Sequence, residues 1–239
     1  MTGELSEGVL MGATLSGRRA RLHAATREEV KVIALRQLAA GGIAALSLNA
    51  IGREMDLTGP ALYRYFASRD ALLTDLIVDA YADLAASVEA VAQADDGADA
   101  ASSLRAFAAA YRGWALAQPS RYLLLYGTPV PGYVAPPETV MLARRIMAPL
   151  LDVLAALPLP AVAPAAPLAA LDAQFAAWSE AGGQAGGGAA LRRGVTCWTR
   201  LHGLLGLELA GHFAGMGFDP ALLYDAEVDA LLGVGGCAT

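Results

Sequence analysis

The stretch LSLNAIGREMDLTGPALYRYFASRDALL, Leu46 to Leu73, decides how this chain folds. Ser47 is placed to cap a short helix whose buried face is Leu48, Ile51, Gly52 and Met55. Asp56-Leu57-Thr58 then reads as a tight turn, because aspartate tolerates a left-handed backbone. A second short helix, Gly59 to Phe66, carries Pro60 in its first turn, where a missing amide costs little. Leu62 and Phe66 lie four apart on its buried face, flanked by Tyr63 and Tyr65. Ser68 caps a longer helix in which Leu72, Leu73, Leu76, Ile77, Ala80, Leu84 and Val88 recur at threes and fours.

Toward the N-terminus, Val30, Ile33, Ala34, Gln37 and Leu38 mark another helix, stopped by Gly41-Gly42. Thr26 and Glu29 are spaced as a capping box at its start. Residues 1–25 show no apolar periodicity and cluster Arg18, Arg19 and Arg21, so they read as a flexible basic arm. That arm is either a solvated tail or a DNA-touching one.

Toward the C-terminus, ADDGADAA (94–101) is a polar break. Helix patterns resume at 102–118, 120–126, 138–157, 189–214 and 219–232. Between them lie GTPVPGYVAPP (127–137), a proline-rich 158–167 and a glycine-rich 182–188. No run with period two reads as a strand. The chain is therefore read as all-α, with roughly eight to ten helices.

Composition agrees. The 239 residues are 56% apolar, against a usual share of about 45–50%. Only 7% are aromatic, so alanine and leucine, good helix formers, supply the excess. Residues 153–171 carry no charge, but Pro158, Pro160, Pro164 and Pro167 forbid a spanning helix there. The first 25 residues lack a signal-peptide core, and Cys197 and Cys237 alone imply no disulfide framework. The expectation is a soluble cytoplasmic protein with no membrane partner. Net charge is −6, yet residues 18–70 hold nine basic and five acidic side chains, and residues 71–239 hold eight and sixteen. A basic module on an acidic body points to a polyanion met by the N-terminal part.

Two short helices joined by a three-residue turn fit a helix-turn-helix, whose second helix enters a DNA major groove about 12 Å wide. Residues 26–85 resemble the DNA-binding domain of the TetR family of bacterial transcriptional repressors, on the strength of the 46–73 stretch and the preceding Thr26 helix. Gly52 stands where that family usually has alanine, Asp56 where it has glycine, Tyr65 for a frequent histidine and Arg69 for a frequent lysine. The resemblance implies that Asn49, Gly59, Pro60, Ala61 and Tyr63 lie against base edges or thymine methyls. It likewise implies that Thr58, Tyr65 and Arg69 bind phosphate, a task Tyr63 can share. Ser47 and Arg64 join this DNA-facing set, Arg64 reading equally as a base reader or a solvated arginine. Hydroxyls and guanidinium groups suit phosphate, and small residues allow close approach.

In the body, Trp198-Thr-Arg-Leu-His202-Gly203 resembles the WHG-type C-terminal domain of one TetR subgroup, as do PSRY (119–122) and GTPVPGY (127–133). Tyr111, Trp114, Tyr122, Tyr126, Trp198 and His202 are the candidate ligand contacts. The same residues also describe an ordinary core, which is the favoured reading for each aromatic, and for His202, taken singly. No catalytic constellation, cofactor motif or metal set appears: Glu208 and His212 share a helix face, but His202 points away from it. Apolar stripes near the chain end, including Leu201, Leu205, Leu209 and Leu231, read as a dimer interface.

The reading is an all-α protein with three parts. Residues 1–25 are an arm, 26–85 a three-helix helix-turn-helix domain, and 86–239 a larger helical ligand-binding and dimerisation domain. It would work as a homodimeric regulator that binds double-stranded operator DNA and is released by a small hydrophobic ligand. The alternatives are an activator or constitutive regulator without an inducer, and, from another class, a helical enzyme.

Overall fold

The structure, a computed structural model, describes residues 4–94, 97, 99–127, 130, 132–157, 166–182 and 187–233, with side chains from residue 17 onward except at 181 and 182. It is all-α, with no strand among the described residues. Among the described residues ten α-helices follow in order, with a short 3-10 turn at Ile43–Ala45: α1 (Glu4–Gly41), α2 (Leu48–Glu54), α3 (Gly59–Leu62), α4 (Arg69–Gln93), α5 (Ala100–Ala117), α6 (Pro119–Tyr126), α7 (Glu138–Ala156), α8 (Ala166–Gly182), α9 (Gly188–Leu209) and α10 (Pro220–Leu231). The proline-rich residues 158–165, residues 183–186 of the glycine-rich segment and Cys237 lie outside the described residues. By compactness the chain divides into residues 1–79 with 120–135, and residues 80–119 with 136–239. The division therefore falls within α4, between Asp79 and Ala80 rather than after residue 85, and α6 belongs with the N-terminal unit.

In the N-terminal unit, Val30, Ile33, Ala34 and Leu38 of α1 are buried, as are Leu48 and Ile51 of α2, Leu62, Phe66, and Leu72, Leu73, Leu76 and Ile77 of α4. These are the positions that helical spacing selects. Two local expectations fail. Residues from Glu4 onward continue α1, so the stretch read as a flexible arm is helical. Thr26 consequently sits inside a helix, where its hydroxyl donates to the Leu22 carbonyl at 3.0 Å instead of capping. Between α1 and α4, Arg27 pairs with Asp75 and Lys31 with Asp79, at 2.6 Å for the lysine. Thr74 and Tyr133 share a 3.0 Å hydroxyl contact that ties the 130s to α4.

In the C-terminal unit, α5 packs on α7, and α9 packs on α5, α7, α8 and α10. Its core holds Leu104, Phe107, Tyr111, Ile146, Leu150, Leu191, Cys197, Leu201, Leu205, Tyr224 and Val228. Asp99 caps α5 by accepting from Ser102 N at 2.7 Å, and Asp219 caps α10 through Ala221 N at 2.8 Å. Arg112 and Glu208 join α5 to α9 side-on, with contacts of 2.6 and 3.2 Å. Helix α8 has no counterpart in the sequence reading. It meets α9 closely enough that a Cβ on Gly188 would lie 1.8 Å from the Asp172 carbonyl oxygen. Helix α9 ends at Leu209, short of the pattern read to residue 214, so Phe213 lies beyond it and packs against Phe218 at 5.3 Å.

Candidate functional site

The helix-turn-helix is built from its caps. Ser47 Oγ accepts from Ala50 N at 3.3 Å, and Ser47 N donates to Gln37 Oε1 at 2.9 Å, which fixes α2 against α1. Asp56 adopts φ 53°, the left-handed geometry read from the turn. Leu57 N donates to the Gly52 carbonyl at 2.8 Å, and a Cβ at Gly52 would sit 3.3 Å from the Leu57 carbonyl oxygen. The glycine thus lets the turn close tightly on α2. Helix α3 spans only Gly59–Leu62 and passes into a turn over Tyr63–Tyr65, one helical turn shorter than the sequence reading.

Leu62 and Phe66 are buried, and the opposite rim is open. Asn49, Thr58, Gly59, Pro60, Tyr63 and Arg64 are exposed, while Ser47, Ala61, Tyr65 and Arg69 are half-buried. Tyr63, at 49% exposure, is no core aromatic. Tyr65 stacks on His23 of α1 at 4.7 Å, and its carbonyl accepts from Arg27, whose guanidinium lies 4.2 Å from the Phe66 ring centre. Sequence reasoning missed His23 and Arg27. Neither shows a motif; only the folded register brings them to the recognition turn. Arg69 donates to the carbonyls of Ile43 and Leu46, so most of its guanidinium fastens the loop before α2.

The C-terminal unit holds a cavity of about 700 Å³ among α4, α5 and α7. Val88, Val91, Phe107, Pro149 and Val153 form its apolar walls, and Ser102, Ser103 and Asp152 are its polar groups. That size lies within the usual range for small-molecule sites, about 300–1,000 Å³.

Two family models match the chain: "Bacterial regulatory proteins, tetR family" over residues 33–76, and "Tetracyclin repressor-like, C-terminal domain" over residues 104–231. The chain is 38% identical over 218 residues to the HTH-type transcriptional regulator Rv1816 of Mycobacterium tuberculosis, covering 86% of this chain and 91% of that protein. The chain belongs to the TetR family. The crystal structure of the putative regulatory protein SCO4313 matches with TM-score 0.76 and 46% identity, over 90% of this chain and 98% of that one. PfmR, a TetR-family transcriptional regulator from Thermus thermophilus, shares the fold at TM-score 0.56 and 18% identity, over 85% of this chain and 97% of its own. This TetR-family chain is thus a DNA-binding transcription regulator and not an enzyme.

The TetR C-terminal domain does not gather the six aromatic candidates into one cluster. Tyr122 and Tyr126, whose rings are 5.2 Å apart, belong to the N-terminal unit. Tyr111 stacks on Phe107 at 6.3 Å in the core, and Trp114 Nε1 donates to Asp83 at 2.9 Å. Trp198 and His202 stack at 5.0 Å, with burial holding the imidazole pKa below its ordinary value. None of the six lines the cavity, although Tyr111 touches its Phe107 wall. Of the four interface candidates, Leu201 and Leu205 are buried within the protomer and offer a second copy no surface; Leu209 and Leu231 are half-buried. The exposed leucines nearby are Leu207, Leu222 and Leu223. No helix among the described residues is long and apolar enough to cross a membrane.

Proposed function

We propose that this TetR-family regulator is a cytoplasmic homodimeric repressor that grips a palindromic operator and lets go when a small, largely hydrophobic ligand occupies the α4–α5–α7 cavity. The observation that carries the reading is the open rim of α2 and α3, with Leu62 and Phe66 behind it. Asn49, Gly59, Pro60, Ala61, Tyr63 and Arg64 would face base edges. Ser47, Thr58, Tyr65 and Arg69, whose Nη1 lies 4.0 Å from the Asp70 carboxylate, would hold phosphates.

Dimerisation is supported by Leu207, Leu222 and Leu223, apolar side chains exposed on α9 and α10. A dimer supplies two recognition helices for two half-sites about one helical turn of DNA apart. The ligand would shift the balance between DNA-competent and DNA-incompetent states by binding one of them better. Cavity walls of valine, alanine, proline and phenylalanine favour an apolar body, and Asp152 favours a hydrogen-bond donor at one end.

The test is a reporter driven by the promoter beside the gene, together with gel retardation of that promoter. Repression in cells, retardation in vitro and release by a hydrophobic compound that raises the melting temperature support the reading. Stabilisation and release by multiply charged metabolites alone would overturn the ligand part.

A further inference from the structure

Among the described residues, the arginines that make no hydrogen bond or ion pair are Arg18, Arg19, Arg21, Arg53 and Arg64. All five lie in the unit that carries the helix-turn-helix. Every arginine of the C-terminal unit is engaged, for example Arg105 with Asp229, Arg145 with Glu89 and Arg192 with Asp172. Unpaired guanidinium groups on an otherwise acidic chain are thus concentrated where a polyanion would bind.

Three of the five form one basic turn. Residues 17–25, GRRARLHAA, contain no carboxylate, and Arg18, Arg19 and Arg21 are exposed. They lie within α1, the helix whose later turns build the core of the DNA-binding unit. The register is fixed one to two turns further on: His23 stacks on Tyr65 at 4.7 Å, and Arg27 covers Phe66 at 4.2 Å. Arg19 precedes His23 by four residues, so it shares that face and lies about 6 Å further along the axis. The basic turn therefore continues past the recognition turn on the same stiff helix. A contact made there orders no loose segment and avoids that entropy cost.

We infer that Arg18, Arg19 and Arg21 form a second DNA-contact surface, which holds backbone phosphates flanking the half-site read by α3. The contact is electrostatic and indifferent to base sequence. It rests on the DNA-binding reading of the helix-turn-helix. The three side chains spread over about 160° of the helix, so Arg19, nearest the His23 face, contributes most.

The experiment uses the full chain on its operator, by salt titration and hydroxyl-radical footprinting. Arg19→Ala is expected to flatten the dependence of log affinity on log salt by about 0.9. The triple alanine variant is expected to flatten it by about 1.8–2.7, losing about 10- to 40-fold less affinity than the wild type between about 50 and 200 mM salt. Protection of phosphates outside the half-site should vanish while central protection stays. The triple lysine variant should restore both, and melting temperature should not move. An unchanged slope with unchanged outer protection would overturn the inference while leaving the helix-turn-helix reading intact. A wild-type chain that protects no DNA would overturn both.

Discussion

Arg69, at the start of α4, donates its Nε–H to the Leu46 carbonyl at 3.0 Å. Its Nη2 also reaches the Ile43 carbonyl at 2.5 Å, so one side chain ties the first turn of α4 to the loop before α2. Charge-assisted bonds of this kind are worth about 1.5–3 kcal/mol each, less where the guanidinium is a third exposed, as here. Arg69→Ala should therefore lower stability by about 1–2 kcal/mol, read by chemical denaturation. If Nη1 also holds a phosphate, the salt slope of operator binding falls by about one unit. An alanine variant as stable as the wild type contradicts the fastening role; one with an unchanged slope removes Arg69 from the phosphate set.

Asp56 holds φ 53° in the turn between α2 and α3. An ordinary side chain there costs about 1–2 kcal/mol, and aspartate, glycine and asparagine least. Asp56→Val should destabilise by about that amount, whereas Asp56→Gly should be neutral or slightly stabilising. Equal midpoints for the two variants would show that the turn does not constrain this residue.

The legible part of the fold was the part whose residues carry local chemistry. The Ser47 cap, the left-handed Asp56 and the Leu62–Phe66 face are each visible in residue type and spacing. Helix α8 was not, because it exposes Leu168, Leu171 and Trp178 and so shows no apolar stripe against a polar face. The N-terminal half of α1 was missed for a related reason: it is continuous with a packed helix rather than marked by a stripe of its own. Aromatic residues in the body signalled burial, but the cavity is walled mainly by alanine and valine, which sequence alone does not flag. The Leu201 and Leu205 stripe likewise announced a buried face without saying that its partner was the protomer's own core.

Cys197 is fully buried, and burial pushes its thiol up to about 12, against the pull of Arg200 and Arg193. In the unfolded chain it ionises near its ordinary value of 9.0. Between those values the unfolded state loses the proton and the folded state keeps it, so stability should fall as pH rises from about 9 to about 12. Cys197→Ala should shed that part of the alkaline loss. In a Cys237→Ser background, a thiol reagent at about pH 8, below the ordinary thiol range, should label Cys197 only on unfolding. Rapid labelling of the native chain would contradict the burial.

Leu222 is 68% exposed on α10, and Leu207 44% exposed on α9. If these faces meet a second copy, Leu207→Glu with Leu222→Glu should yield a folded monomer by sedimentation, with weakened operator binding. Because both are exposed in the protomer, melting at high dilution should change little. A wild-type chain that sediments as a monomer at micromolar concentration would rule out the dimer.

Whether the rim of α2 and α3 reads DNA is measured by genome-wide footprinting of the purified chain. A few strongly protected sites are expected, each with two inverted half-sites about 10 bp apart centre to centre or a multiple of that. Protection should be lost when Tyr63 and Asn49 are both replaced by alanine. Protection no stronger than on random DNA, or strong protection that survives the double replacement, would contradict it.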